Sequence, residues 1–325
     1  NNEDSVMDVI DQSITESYAV YNADTVTVAQ SLPSDSVGFS VFSPPFASLY
    51  TYSNSERDMG NVKTHDEFWQ QYRYLIKEQF RVMKPGRNIA IHCMNLPSSK
   101  QNDGFIGIKD FRGDIIREYQ SEGFIYHSEV CIWKDPVVAM QRTKALGLLH
   151  KQVKKDSCMS RMGLADYVVV MRKPGDNAEP ISGEFKYYVG DNPPATFDRF
   201  ERDDGRLYFV PGINGTSIDV WQQYASPVWD DINQTDTLNF REGRESDDER
   251  HICPLQLDVI ERCIQLWSNP GDVVWTPFMG IGSEVYMAVK LGRKGLGVEL
   301  KPSYYQLALR NIEQADKNQY EMFAA

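Results

Sequence analysis

The chain predicts an α/β fold, a doubly wound and mostly parallel sheet with helices on both faces. Two observations predict it. Short apolar runs of strand length alternate with longer segments of helical period, first through residues 37–173 and again beyond residue 254. Near the C-terminus, a strand (Val273–Phe278), a small-residue turn (Gly280-Ile281-Gly282-Ser283), a helix (Glu284–Leu291) and a second strand (Gly295–Leu300) follow one another in the order of a nucleotide-binding unit.

The elements follow in chain order. Residues 1–20 are acidic and weakly periodic and read as a peripheral helix or arm. Tyr21-Asn22-Ala23-Asp24 leads into a polar helix end and turn at Ser31–Ser36. Val37–Phe42 is a buried strand, ended by Ser43-Pro44-Pro45-Phe46, because two prolines fix φ and remove two ladder donors. Residues 47–64 are polar and aromatic without a period, the texture of a mobile loop over a site. Residues 65–83 form a helix with Asp66 as cap and Phe68, Trp69, Tyr72, Leu75, Ile76 and Phe80 at helical spacing, stopped by Lys84-Pro85-Gly86. Asn88–Met94 is a strand, Asn95–Gly107 a loop, 110–121 a helix ending at Gly123, and Tyr126–Trp133 a strand. A helix over Met140–Lys155 and a strand at Ala165–Met171 complete this half. From Pro174 to Arg250, Gly, Pro, Asp and Asn become frequent and apolar runs short, which marks an insertion. An amphipathic helix (Leu255–Trp267), a turn (Asn269–Asp272) and a closing helix (Pro302–Lys317) frame the C-terminal unit.

With 325 residues, 41% hydrophobic and 25% charged, the chain has the composition of a soluble globular protein with a full core. No run approaches the ~18 apolar residues of a membrane helix. The polar N-terminal stretch does not read as a signal peptide. Five scattered cysteines, none in a C-x-x-C pair, point to reduced thiols in a cytoplasmic protein and away from a structural zinc or other metal. The net charge of −12 is unevenly spread. Residues 1–36 carry seven acids and no Lys or Arg, and residues 176–250 seventeen acids against seven bases. Residues 134–173 carry nine bases against three acids. A basic block in an acidic chain suits a face that tracks phosphates, and Arg142, Lys144, Lys151, Lys154, Lys155 and Arg161 are its candidates. The same charges would also serve a solvated helix face.

Two motifs carry chemistry. The Ser43–Phe46 turn leaves the oxygens of Ser43 and Pro44 without regular partners, beside an aromatic ring. Such a turn can hold an amino group by its hydrogens while a flat base lies on Phe46. Taken alone, it reads first as a strand-ending turn with Phe46 packed in the core. At the other motif, small residues let a ligand approach the backbone at a helix N-terminus, and Glu299, 19 residues after Gly280, is placed for ribose hydroxyls. The turn is shorter than G-x-G-x-x-G, which favours an adenosine ligand over a pyrophosphate.

Together, Ser43-Pro44-Pro45-Phe46, Pro277-Phe278-Met279-Gly280-Ile281-Gly282-Ser283 and Gly297-Val298-Glu299-Leu300-Lys301-Pro302-Ser303-Tyr304-Tyr305 resemble the DNA amino-methyltransferases that use S-adenosylmethionine. The catalytic tetrapeptide comes first and the cofactor glycines near the C-terminus, as in their β group, and the versions carried by phages and prophages are the most similar. Arg81–Gly86 and His251–Gln256 resemble further family segments, and the match covers roughly residues 20–173 and 250–315. The resemblance implies a seven-stranded Rossmann-like methyltransferase sheet. It divides the chain into a catalytic half (1–173), an inserted target-recognition region (174–250) and an S-adenosylmethionine-binding half (251–325). It implies that Ser43 Oγ and the Pro44 carbonyl accept the amino hydrogens, that Pro45 shapes the turn, and that Phe46 stacks on a base flipped from double-stranded DNA. Asp24, Pro277, Phe278, Gly280, Gly282, Ser283 and Glu299 would form the cofactor pocket. Arg199, Arg202, Arg206, Arg241 and Arg244 would be available to bases or phosphates. A homodimer is a further implication.

The family usually has Asp-Pro-Phe at the cofactor strand end, where this chain has Thr276-Pro277-Phe278. Threonine keeps an oxygen and loses the charge. Cytosine C5 chemistry needs a Pro-Cys pair, and the chain has only the reverse, Cys253-Pro254. Serine at the first tetrapeptide position favours N4 of cytosine as target, with N6 of adenine the alternative. A nucleotide-dependent oxidoreductase would account for the glycine turn but not for Ser43–Phe46. A catalytically silent DNA-binding regulator is favoured only by Thr276.

Overall fold

The computed structural model describes residues 9–45, 65–143, 145–181, 197–201, 207–211, 223–239 and 254–324. Its elements in order are β1 (Val9–Ile14), β2 (Tyr18–Ala23), α1 (Thr25–Ser31), β3 (Phe39–Phe42), α2 (His65–Val82), β4 (Asn88–Met94), β5 (Leu96–Ser98), α3 (Lys100–Asp103), β6 (Gly107–Lys109), α4 (Phe111–Glu122), β7 (Ile125–Ile132), α5 (Pro136–Thr143), α6 (His150–Lys155) and β8 (Asp166–Arg172). Then come β9 (Phe197–Glu201), β10 (Leu207–Pro211), β11 (Val228–Trp229), α7 (Leu257–Trp267), β12 (Val273–Thr276), α8 (Ser283–Lys290), β13 (Lys294–Glu299) and α9 (Pro302–Ala324).

Nine strands form one sheet in the order β1-β2-β13-β12-β3-β4-β8-β7-β11. From β2 to β4 the neighbours are parallel, β8 runs antiparallel to β4 and β7, and β1 and β11 are additions at the two edges. The six strands read from the sequence, with β2 as a seventh, are therefore the centre of the sheet. They read as continuous apolar runs because both faces are covered. Phe42, Ile89, Ile91, Val169 and Met171 pack with residues of α1, α2 and α4 on one face. Phe39, Val41, Ala90, Val168, Val170 and Val274 pack with residues of α7 and α8 on the other. At the core of the sheet the Ser40 hydroxyl, fully buried, donates to the Trp275 carbonyl at 2.8 Å and ties β3 to β12.

Three expectations are corrected. The N-terminal segment is not a helix: β1 and β2 form an antiparallel hairpin, with Tyr18, Val20 and Asn22 buried and β2 paired to β13. Tyr18, Val20 and Asn22 recur every second residue, a strand period that the acidic composition of the segment obscured. The helix expected over Met140–Lys155 is α5, a 3-10 turn at Leu146–Leu148 and α6, because Leu149 is extended at ψ 133°. Gly147 at this break lies where a Cβ would stand 2.8 Å from Ile106. The loop after β4 holds the short β5–β6 hairpin and α3.

Within the 174–250 stretch, β9 and β10 form a separate two-stranded sheet. β11 instead pairs with β7, and Trp229 is buried against α7 residues. Among the described residues no helix is long and apolar enough to cross a membrane, and no group of three or more His, Cys, Asp or Glu side chains could hold a metal ion.

Candidate active site

Parallel pairing puts the C-terminal ends of β3 and β12 side by side, with Ser40 opposite Trp275. The two motifs therefore leave adjacent strands at one edge of the sheet, although more than 230 residues separate them in sequence. Their rings meet directly: Phe42, before the tetrapeptide, and Phe278, before the glycine turn, lie 5.8 Å apart between centroids. Tyr72 of α2 packs edge-on to Phe278 at 6.1 Å.

Ser43 is half-buried and Pro44 buried, and Pro45 is partly exposed. Phe46 lies outside the described residues. Ser43 Oγ stands 2.7 Å from His92 Nδ1, and His92 Nε2 stands 3.1 Å from Asp166 Oδ2. Lys134 Nζ donates to Asp166 Oδ1 at 2.7 Å. Strand register assembles this chain of groups. Phe42 pairs with Ile91, which places Ser43 beside His92, and Asp166 opposes both Met94 of β4 and Ile132 of β7, two residues before Lys134. Burial alone would raise the Asp166 carboxyl, but the charges and hydrogen bonds of His92 and Lys134 outweigh it and bring its pKa down to about 2. A lone histidine and an acid at the start of a strand, far apart in sequence, offered no spacing signal for this arrangement.

On the other side of β12, the glycine turn has the conformation its residues allow. Gly280 and Gly282 adopt φ of 54° and 88°, in the region glycine reaches without strain. A Cβ at Gly282 would stand 3.0 Å from Ala308 of α9, whereas nothing among the described residues lies within 4 Å of that position at Gly280. The first glycine therefore opens onto free space and the second permits close packing. Glu299 accepts the N–H of Gly280 and that of Lys301, each at 2.8 Å. Asn22 at the end of β2 donates to the carbonyls of Glu299 and Leu300 at 2.8 and 2.9 Å. Asp24 stands at the same edge as the cap of α1, accepting from the N–H and hydroxyl of Thr27 at 2.9 and 3.0 Å. Pro277 and Ser283 are buried and Phe278 is half-buried. Thr276 Oγ1 is buried without a hydrogen-bond partner among the described residues. Glu284, one residue into α8, is buried, and its burial pushes the carboxyl up to about 8.

The basic block does not form one face. Lys134 belongs to the Asp166 cluster. Arg172 and Lys173 end β8 at the opposite edge, bonded to the carbonyls of Gly86 and Met83. Arg142 on α5 and Lys151, Lys154 and Lys155 on α6 are exposed, and Arg161 is half-buried with its guanidinium on the Met162 carbonyl. Lys144, Arg202, Arg206, Arg241, Arg244, Cys253 and the 47–64 loop lie outside the described residues, as does the side chain of Arg199.

Comparison with known proteins agrees with this layout. The family model described as DNA methylase, covering N6 and N4 enzymes, matches residues 37–310. The type II methyltransferase M.BglII of Bacillus subtilis is 24% identical over 303 residues, 92% of this chain and 70% of the relative. Two solved structures share the fold. One is the Thermus thermophilus protein TTHA0409 complexed with S-adenosyl-L-methionine, with a TM-score of 0.59, 21% identity, and coverage of 90% of this chain and 93% of that one. The other is the cytosine-N4-specific PvuII DNA methyltransferase, with a TM-score of 0.60, 15% identity, and coverage of 95% and 94%. With most of its length inside the family match, both motifs included, the chain belongs to the N6/N4 DNA methylase family.

Proposed function

We propose that the protein transfers the methyl group of S-adenosylmethionine to the exocyclic amino nitrogen of a base flipped from double-stranded DNA, with N4 of cytosine the preferred target. The observation that carries this reading is the meeting of Ser43-Pro44-Pro45 and the glycine turn at the ends of adjacent strands. A site at that edge serves two reactants at once.

The residues present suit the cofactor. Gly280 faces open space, Glu299 brings a carboxylate to the end of the neighbouring strand, and Thr276 Oγ1 is a buried hydroxyl with no partner among the described residues. Pro277, Phe278, Gly282 and Ser283 would line the pocket, with Asp24 at its rim. S-adenosylmethionine supplies a methyl already activated on a sulfonium, so no covalent enzyme nucleophile is required. The protein's part is positioning. Ser43 Oγ and the Pro44 carbonyl accept the two amino hydrogens and hold the nitrogen lone pair towards the methyl. Phe46 offers the stacking face. Arg142, Lys144, Lys151, Lys154, Lys155 and Arg161 would contact phosphates, and residues 174–250 would read the target sequence. We further assign residues 1–173 and 251–325 to the catalytic and cofactor halves, and expect a cytoplasmic protein that works as a homodimer.

The preference for cytosine rests on serine at the first tetrapeptide position. Incubation with unmodified duplex DNA and S-adenosylmethionine, digestion to nucleosides and mass spectrometry test it. N4-methylcytosine is expected, and its loss in Ser43→Ala. N6-methyladenine alone would overturn the choice of base. No methylated nucleoside on any DNA would overturn the enzyme and favour a silent DNA-binding regulator.

A further inference from the structure

We infer that His92, held by Asp166 and Lys134, fixes Ser43 as a pure hydrogen-bond acceptor and takes up the proton that the target nitrogen sheds after methylation. The inference rests on the placement of the target amino group at Ser43.

The polarity of the chain of groups follows from one end. Asp166 is ionised down to about pH 2 and salt-bridged to Lys134, so it has no proton to give. The proton in its 3.1 Å contact with His92 therefore sits on His92 Nε2. When the imidazole is neutral with its proton there, Nδ1 is bare and the 2.7 Å contact with Ser43 is a hydrogen bond donated by the Ser43 hydroxyl. With its one hydrogen turned inward to His92, Ser43 offers only lone pairs to the site. That is what an amino group presenting two hydrogens requires. A Ser43 without His92 would rotate freely and spend part of its time as a donor against those hydrogens.

The same bonds provide a proton route once the methyl has moved. The new N–CH3 bond leaves the amino nitrogen positively charged with a surplus hydrogen. That N–H bond breaks as an O–H bond forms at Ser43, and the original Ser43 O–H breaks as an N–H bond forms at His92 Nδ1. The product nitrogen becomes neutral and His92 becomes an imidazolium beside the Asp166 carboxylate. The proton returns to solvent when the product leaves. Against His92 stand Ser43 from the end of β3 and Asp166 from β8, with Lys134 from the end of β7 on the far oxygen of Asp166. Lys134 keeps Asp166 ionised and aligned without contacting the imidazole's partner serine. His92 acts through Ser43 and is a positioning residue.

The test is single-turnover methyl transfer from S-adenosylmethionine to duplex DNA across pH about 5 to about 9, the range in which a histidine changes charge. Protonation of His92 before reaction reverses the Ser43 bond and removes the acceptor, so the wild-type rate falls on the acidic side. His92→Asn places an amide oxygen near the Nδ1 position, which can hold the Ser43 hydrogen but cannot take a proton. It is expected to transfer about 100-fold more slowly, in the range of a lost acid–base group, and to lose the acidic limb while still binding cofactor by calorimetry. Asp166→Asn is expected to show the same loss, because its amide no longer dictates the imidazole tautomer. A wild-type rate that is flat over this range overturns the relay without recourse to any variant. A His92→Asn enzyme with the wild-type rate and limb overturns it as well. Wild-type transfer by Ser43→Ala would instead remove Ser43 from the target site, and with it the underlying reading.

Discussion

The carboxylate of Glu299 accepts the backbone N–H of Gly280 at 2.8 Å, closing the glycine turn against the end of β13. Its second oxygen accepts the N–H of Lys301 at the same distance. The residue proposed to hold a ribose is thus also the one that shapes the turn proposed to carry the cofactor. Glu299→Gln keeps one acceptor oxygen but turns an N–H2 towards one of the two amides. Glu299→Ala loses both bonds. A charge-assisted bond is worth about 1.5–3 kcal/mol, so S-adenosylmethionine binding should weaken about 10-fold or more in Glu299→Gln and further in Glu299→Ala. Calorimetric titration measures this. Unchanged affinity in both variants would remove Glu299 from the cofactor site.

Glu284 gives the folded protein a pH dependence of its own. Its burial near the glycine turn raises the carboxyl to about 8, so the folded state holds a proton that the unfolded chain releases near the ordinary glutamate range. Between about pH 4.5 and about pH 8 the folded state binds more protons, and stability falls as pH rises through this window. Glu284→Gln removes the effect. Urea denaturation should find the variant more stable than wild type at pH 8, by on the order of 3 kcal/mol, with the difference vanishing near pH 4. Equal midpoints at pH 8 would mean that Glu284 is ionised in place.

How much of this was legible depended on whether the signal was local. Ser43-Pro44-Pro45 and Gly280–Ser283 announce themselves because proline and glycine constrain their own backbone, and the structure brings the two turns together as the doubly wound order requires. His92, Asp166 and Lys134 were not legible. They meet only through the registers of β4 with β8 and β8 with β7, and no residue spacing encodes register across separate strands. The ends of the basic stretch part from one another for a related reason. β7 and β8 are antiparallel, so Lys134 and the pair Arg172 and Lys173 end at opposite edges although they lie in one block of sequence. The acidic composition of residues 1–36 hid the β1–β2 hairpin, whose only signal is the two-residue period of Tyr18, Val20 and Asn22 in β2.

A buried ion pair at the opposite edge from the site gives a stability prediction. Arg87 Nη1 lies 2.9 Å from Asp272 Oδ2, with side-chain exposures of 0% and 8%. Arg87 also donates to Asn177 Oδ1 at 2.9 Å. The pair joins the starts of β4 and β12 and so aligns the two halves of the sheet. Removing Arg87 leaves Asp272 as a buried carboxylate held by the Asn269 N–H, and removing Asp272 leaves Arg87 buried with only the more distant, exposed Glu179 carboxylate at 3.5 Å among the described residues. Asp272→Ala and Arg87→Ala should each lower unfolding free energy by about 3–5 kcal/mol. The double variant should cost less than the sum, because the stranded charge is gone. Additive losses in denaturant titrations would show that the two side chains do not act as a pair.

Lys151, Lys154 and Lys155 provide the last prediction. They stand at positions i, i+3 and i+4 of α6, which places them on one side of the helix, and all three are exposed. β7 runs parallel to β4, so the segment from its end through α5 and α6 leaves the sheet at the same edge as Ser43. A cationic ridge there can hold the duplex backbone while a base enters the site. If each lysine neutralises one phosphate, each lost lysine should reduce the slope of log affinity against log salt by about 0.9. Replacing all three with glutamine should therefore flatten the slope by nearly 3 and weaken binding alike on specific and unrelated DNA. Fluorescence anisotropy with labelled duplexes over a salt series measures it. A slope equal to that of the wild type would move the phosphate contacts off α6.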